Sequence, residues 1–494
     1  MLSDSSSLRR RTLPALLLLV GLLAAILIVR LTLLDATVVV LLGIGTLVSA
    51  VEPLAGLTLA LFLGLMRAYL QTEVPQIPSQ IGQVFVILSL GSWLAAGLAR
   101  RSLRIRHSPL LLPLIGFLGT AILSLWSAVD LASYGLPEFI KWLQILAILV
   151  LVHDTLTPRK LPWLFCALVA IGLFQAAIGI YQFRLRGDGP DHFAILGGQA
   201  YRAYGTFEQP NPFAGFLGLT LSIVVGVGAA AGQETLIRWF KRKSAGHTKP
   251  ELATWWFWLA IVAAALIAAA LGMSWSRGAW IGFGGALLAM AAALPNKPQA
   301  RLALIASLII VGLGLFFSGV LPVSVTERLT SFAEEVRLRD VRGVGINDAN
   351  FAVLERLAHW QAAVSMWRSR FWTGVGLGCY EPAYPLFALI NWPIALGHAH
   401  NFYLTIAAET GALGLITYSI FWVAVFLYTW RATQHTRGLS RGLAIGMLGA
   451  WMHLSIHHVL DNLIVNNVHI LIGVLLGLLA YIVSAMRKGV EATA

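Results

Sequence analysis

Long apolar runs dominate the chain, interrupted at short intervals by charges, Pro or Gly, and most match the roughly 17–25 residues a helix needs to cross about 30 Å of hydrocarbon. They fall near 12–30, 35–51, 54–70, 83–99, 109–127, 137–153, 161–183, 212–231, 254–273, 277–294, 300–320, 403–430, 441–459 and 466–486. No stretch alternates apolar and polar residues in the manner of a barrel strand, so each run is read as a helix whose backbone groups satisfy one another within lipid. The predicted fold is all-α: a polytopic membrane protein with about 14 transmembrane helices.

Composition agrees, because 58% of the residues are hydrophobic and only 12% charged, about half the charged share of a soluble domain. A soluble globular protein is thereby excluded. The net charge of +13 raises nucleic acid as a partner, until the basic residues are placed. With an even number of spans and Arg9–Arg11 in the cytoplasm, 21 of the 35 Lys and Arg residues fall on the cytoplasmic side and 6 in the short outward loops. The surplus is a positive-inside signal, and no nucleic-acid partner is expected. Both termini are then cytoplasmic. The run Leu13 to Val29 follows a basic cluster without a small-residue cleavage site before Arg30, so it reads as a retained first helix. Cys166 and Cys379 lie too far apart in sequence and context to suggest a disulfide framework or a thiolate metal site.

This topology divides the chain into N-terminal helices at 1–200, helices with outer arginine motifs at 201–320, a large outer loop at 321–399 and C-terminal helices at 400–494. The loop reads as ordered and helical. Ser324 to Glu327 fits a capping box ahead of Val325, Leu329, Phe332 and Val336 at helical spacing, and Val353, Leu357, Trp360, Val364 and Trp367 share a second amphipathic face, with Glu355, Arg356 and His359 elsewhere. Such helices either lie on the bilayer surface or roof a cavity; a packed cap without chemistry is the alternative.

Four polar constellations border the apolar runs, and all four fall on the predicted outer face. In 201–216, Asn211-Pro212 reads as an N-cap with Pro at the first helical position. Arg202 offers a planar fork that suits phosphate, with a lipid headgroup or Glu208 as the plainer partner. In 273–283, Arg277 sits near a helix N-terminus, where free N–H groups already favour an anion. In 397–418, His398 and His400 are a base, a metal pair or structural donors; Asn401 orients an imidazole or caps the helix. Gly411 and Gly414 read as close-packing positions there, and Glu409, inside the helix, needs a buried partner or a proton. In 453–470, His457, His458, Asp461 and His469 compete as a metal site completed by His398, although their spacing matches no metal signature.

His400-Asn401, then Gly411 after nine residues and Gly414 after two more, resembles the signature of the bacterial O-antigen ligase and polymerase superfamily. The tract 370–380 is similar to that family's Pro-Leu-x-Gly-x-Gly segment, with Trp372 and Thr373 in place of Pro and Leu. The Arg202 and Arg277 segments are similar to its two outer arginine segments, and the likeness covers roughly 200–480. The resemblance implies a membrane glycosyltransferase of GT-C-like architecture in the bacterial inner membrane, with its active site on the outer face. It implies an undecaprenyl-diphosphate-linked glycan as donor and, as acceptor, a lipid A core sugar for a ligase or another lipid-linked repeat unit for a polymerase. Carried over by motif, His400 is the base and Arg202 and Arg277 the diphosphate clamp, supported by Asn401, His398 and Glu409. Neither a metal nor a cofactor is expected, and membrane lipids are the surroundings. The rival from another class is an anion or small-solute transporter.

Overall fold

A computed structural model describes residues 31–74, 77–101, 105–242, 252–330, 340–347, 350–487 and 489. The predicted first run at 12–30, the Arg9–Arg11 cluster, Phe332 and Val336 lie outside these residues. The fold is all-α. Among the described residues the only strands are the two-residue pieces Ala194–Ile195 and Ala200–Tyr201, antiparallel with Ala194 opposite Tyr201. A helix occupies each of the other thirteen predicted apolar runs.

Eight of the described helices are long and apolar enough to span a membrane. A ninth span results if Pro53–Leu65 and Arg67–Glu73, bent by 56° at Met66, count as one. Leu111–Leu125 and Arg277–Ala293 are apolar but shorter. Gly438–His457 has the length, while Arg441, His453 and His457 dilute its apolar content.

Burial sorts the helices. In Pro210–Arg242 (α1) and Val468–Arg487 (α2), 89% of the most apolar window is buried, whereas Pro298–Phe317 has no buried residue. Glycine spacing explains the close interior packing. Gly442 and Gly446 on Gly438–His457 (α3) bring its backbone onto Val227 and Ile223 of α1. Gly473 and Gly477 seat α2 against Ile148 and Val152 of Leu136–Thr155 (α4). Small residues four apart let backbones approach where lipid supplies no hydrophobic drive between helices.

Two described helices of the segment 321–399 lie against this bundle. Val323–Thr330 (α5) begins one residue before Ser324, so Ser324 lies in its first turn instead of capping it. Phe351–Ser369 (α6) buries Leu354, Leu357, Ala358, His359, Trp360, Ala362, Ala363 and Met366. This face is broader than the predicted stripe and includes His359, because the tract after the helix folds back over it: the His359 ring stacks on Tyr384 at 4.6 Å.

Candidate functional site

Phe402–His435 (α7) carries the signature residues. Asn401 is its N-cap, with Oδ1 accepting from the Leu404 N–H at 3.1 Å, so the capping reading holds. Two residues beyond Glu409 the helix breaks at Gly411, whose φ of 67° and ψ of −167° suit almost no residue but glycine. Into the break runs the glycine tract. Val375 and Gly376 donate their N–H groups to the Ala408 and Glu409 carbonyls at 2.9 Å each, and Ala412 donates to the Phe371 carbonyl at 2.8 Å. A Cβ on Gly411 would collide with the Trp372 carbonyl. Gly411 therefore serves a backbone break before it serves packing, which corrects the expectation from sequence. Glu409 finds the buried partners it was expected to need: its carboxyl accepts from the Gly378 N–H at 2.9 Å and the Tyr380 N–H at 3.1 Å. It pins the tract to the helix.

The two histidines converge on one carboxylate. His398 Nε2 lies 3.7 Å and His400 Nδ1 3.5 Å from Asp461 Oδ1. Asp461 stands in the loop between α3 and α2, where its Oδ2 accepts from Asn211 Nδ2 at 2.8 Å and its Oδ1 from the Asn462 N–H at 2.8 Å. Burial opposes the Asp461 charge, but the facing imidazoles of His400 and His398 hold it below the usual carboxylate range. The histidines differ in what remains free. His398 Nδ1 accepts the His400 N–H at 3.0 Å, so its proton sits on Nε2, toward Asp461. Burial first, then His400, lowers His398 to about 4. His400 turns Nδ1 to Asp461, leaving Nε2 free, and its φ of 51° holds it in the left-handed region directly before the helix. Strained backbone of this kind persists where surroundings fix it, often at functional sites.

A hydrogen-bonded relay leads from Asp461 to the arginines. Asn211 Oδ1 accepts from Arg202 Nη2 at 2.9 Å, and Arg202 Nε donates to the Ser274 carbonyl at 2.9 Å. Because α1 starts at Pro210, Asn211 is a bridge and not the expected N-cap. Glu208 is not the partner of Arg202. Arg202 and Arg277 line one small cavity with Arg328 of α5, Arg356 of α6 and His457. Arg277 is 8% exposed at the start of Arg277–Ala293. Burial, then the charges of Arg328, Arg356 and Arg277, pushes Arg202 down to about 9. Guanidiniums packed this closely favour an anion among them.

The structure thus joins all four constellations but not the histidine set expected for a metal. His458 stacks on Phe402 at 4.4 Å, and His469 Nε2 pairs with Gln144 Oε1 at 2.7 Å. Among the described residues, the trio with metal-compatible spacing is His398, His400 and Asp461, whose ligand atoms lie within 4.8 Å of one another. Sequence reasoning missed Arg328 and set Arg356 aside; their only signal is a cation on the loop's amphipathic helices.

Residues 262–419 match the family model for O-antigen ligase. No curated protein matches the chain. The family match covers Arg277, Arg328, Arg356 and both motif histidines, leaving Arg202, Asn211 and Asp461 outside it. It bears out the resemblance to the O-antigen ligase and polymerase superfamily and supports a multi-pass membrane enzyme that transfers glycans.

Proposed function

We propose that the chain transfers a glycan from an undecaprenyl-diphosphate-linked donor to an acceptor hydroxyl on the outer face of the bacterial inner membrane, as an O-antigen ligase-type enzyme. The carrying observation is the cavity of four arginines joined through Asn211 and Asp461 to His400. His400 Nε2 takes the proton of the acceptor hydroxyl while Asp461 stabilises the resulting imidazolium. The acceptor oxygen forms a bond to the anomeric carbon, the bond from that carbon to the phosphate oxygen breaks, and its electron pair departs on the diphosphate. The arginines stabilise that charge. Attack opposite the leaving group inverts the anomeric configuration. At about 30 Å³ the cavity holds a water or two, so a diphosphate displaces the Arg328 and Arg356 side chains outward.

Two further readings have support. A polymerase uses the same chemistry with a second lipid-linked glycan as acceptor, and the superfamily contains both. A metal enzyme is favoured by the clustering of His398, His400 and Asp461, whose ligand atoms lie within 4.8 Å of one another, against ~3.3 Å between ligands around a tetrahedral zinc. Against it, the His400 N–H holds the lone pair of His398 Nδ1, which puts the His398 proton on Nε2, the atom that would have to bind the metal.

Purified protein incubated with lipid-diphosphate glycan and candidate acceptors separates these readings. One added block marks a ligase, a ladder marks a polymerase. His400→Ala is expected to lose on the order of 10²–10⁴ in rate and His398→Ala much less. Activity abolished by a chelator and restored by zinc would overturn the metal-free base.

A further inference from the structure

Asp461 is a partition. Leu460, before it, lines the arginine cavity; Asn462, after it, lines a second cavity of about 290 Å³ together with His398. The two cavities have opposite character. Around the second stand the carboxyl groups of Glu138, Glu381 and Glu409 and a single cation, Lys141, which is paired with Glu138. Ser133, Tyr134 and Asn462, whose side chains both donate and accept hydrogen bonds, complete the lining.

From this juxtaposition we infer that the second cavity receives the acceptor, and that the acceptor's reacting sugar is neutral, bearing neither phosphate nor carboxylate. The inference rests on the transferase reading and adds the acceptor class to it. A transferase of this kind holds leaving group and nucleophile on opposite sides of the reacting carbon. The arginine cavity suits the anionic leaving group. A phosphorylated acceptor sugar in the other would bring its charge against the Glu381 carboxylate, where the one ammonium is already paired with Glu138. A neutral sugar meets a polyhydroxyl-binding wall instead. His398 lines this cavity with its ring 4.6 Å from that of His400, and the sugar's hydroxyl proton passes to His400 Nε2 as the new glycosidic bond forms and the diphosphate departs on the arginine side. Glu381, half-buried and without an ion pair among the described contacts, is the residue that sets this preference.

The test uses the full chain in lipid nanodiscs with maltotriose and maltotriose carrying a 6-phosphate on its non-reducing end. Equilibrium dialysis without donor is expected to show neutral maltotriose bound at least tenfold more tightly than the phosphate ester. Glu381→Lys narrows that ratio, and Ser133→Trp, a bulky change at an exposed position on the cavity rim, weakens the neutral sugar at least tenfold. Equal or tighter binding of the phosphorylated sugar, no binding of either, or unchanged affinity in Ser133→Trp overturns the inference. Because dialysis does not depend on turnover, neutral sugar bound in this cavity by a chain that consumes no lipid-linked donor counts against the transferase reading alone.

Discussion

His398 and His400 carry the same ring two residues apart, and the backbone between them decides their chemistry. The His400 N–H occupies the lone pair of His398, whereas the left-handed turn at His400 leaves its own Nε2 unengaged. The motif made His400 legible from sequence; Asp461 was legible only as a metal ligand, because its bond to Asn211 spans 250 positions. Burial also has a consequence for pH. His398 and His359 are both held near about 4, against 6.5 when unfolded, so between those values the unfolded chain binds more protons and stability rises with pH. Asp461, held low, gives stability that is fully present above the unfolded carboxylate range and is lost only below it, outside that window. Acidification from pH 7 to 4.5 is therefore expected to cost on the order of a few kcal/mol. Thermal unfolding in detergent across that range checks it: a flat profile refutes the prediction, and His398→Gln is expected to reduce the slope while the His359 contribution remains.

At the scale of elements, the helices were legible because apolar runs of spanning length leave few alternatives in lipid. The break in α7 was not. Gly411 and the tract at 374–378 are each visible as glycines, but nothing local says that one threads into the other across more than thirty residues. The loop arginines were hidden for a related reason, since Arg328 and Arg356 acquire meaning only when α5 and α6 fold over Arg202. Gly411→Ala tests the break. Its backbone occupies a region nearly closed to other residues, so the expected loss is at least ~1–3 kcal/mol, read as a lowered midpoint in thermal unfolding. An unchanged midpoint would mean the helix runs straight.

For the whole molecule, the proposal that the site faces outward rests on the distribution of basic residues, and a reporter active only in the cytoplasm decides it. Fused after Arg242 it is expected to work; fused within 321–399 it is expected to fail, and reversed signals would move the site to the other face. The contrast between Pro298–Phe317, with no buried residue, and α2, buried almost throughout, reaches beyond topology to inheritance. Most apolar positions of the peripheral helix face outward and meet no neighbour of fixed shape, so one apolar residue exchanges for another with little cost there. Each position of α2 is constrained by the shape of a neighbour, and an exchange leaves a void or a clash. Two segments of near-equal hydropathy thus record ancestry differently: lineages would drift apart along 298–317 long before they diverge along 468–487.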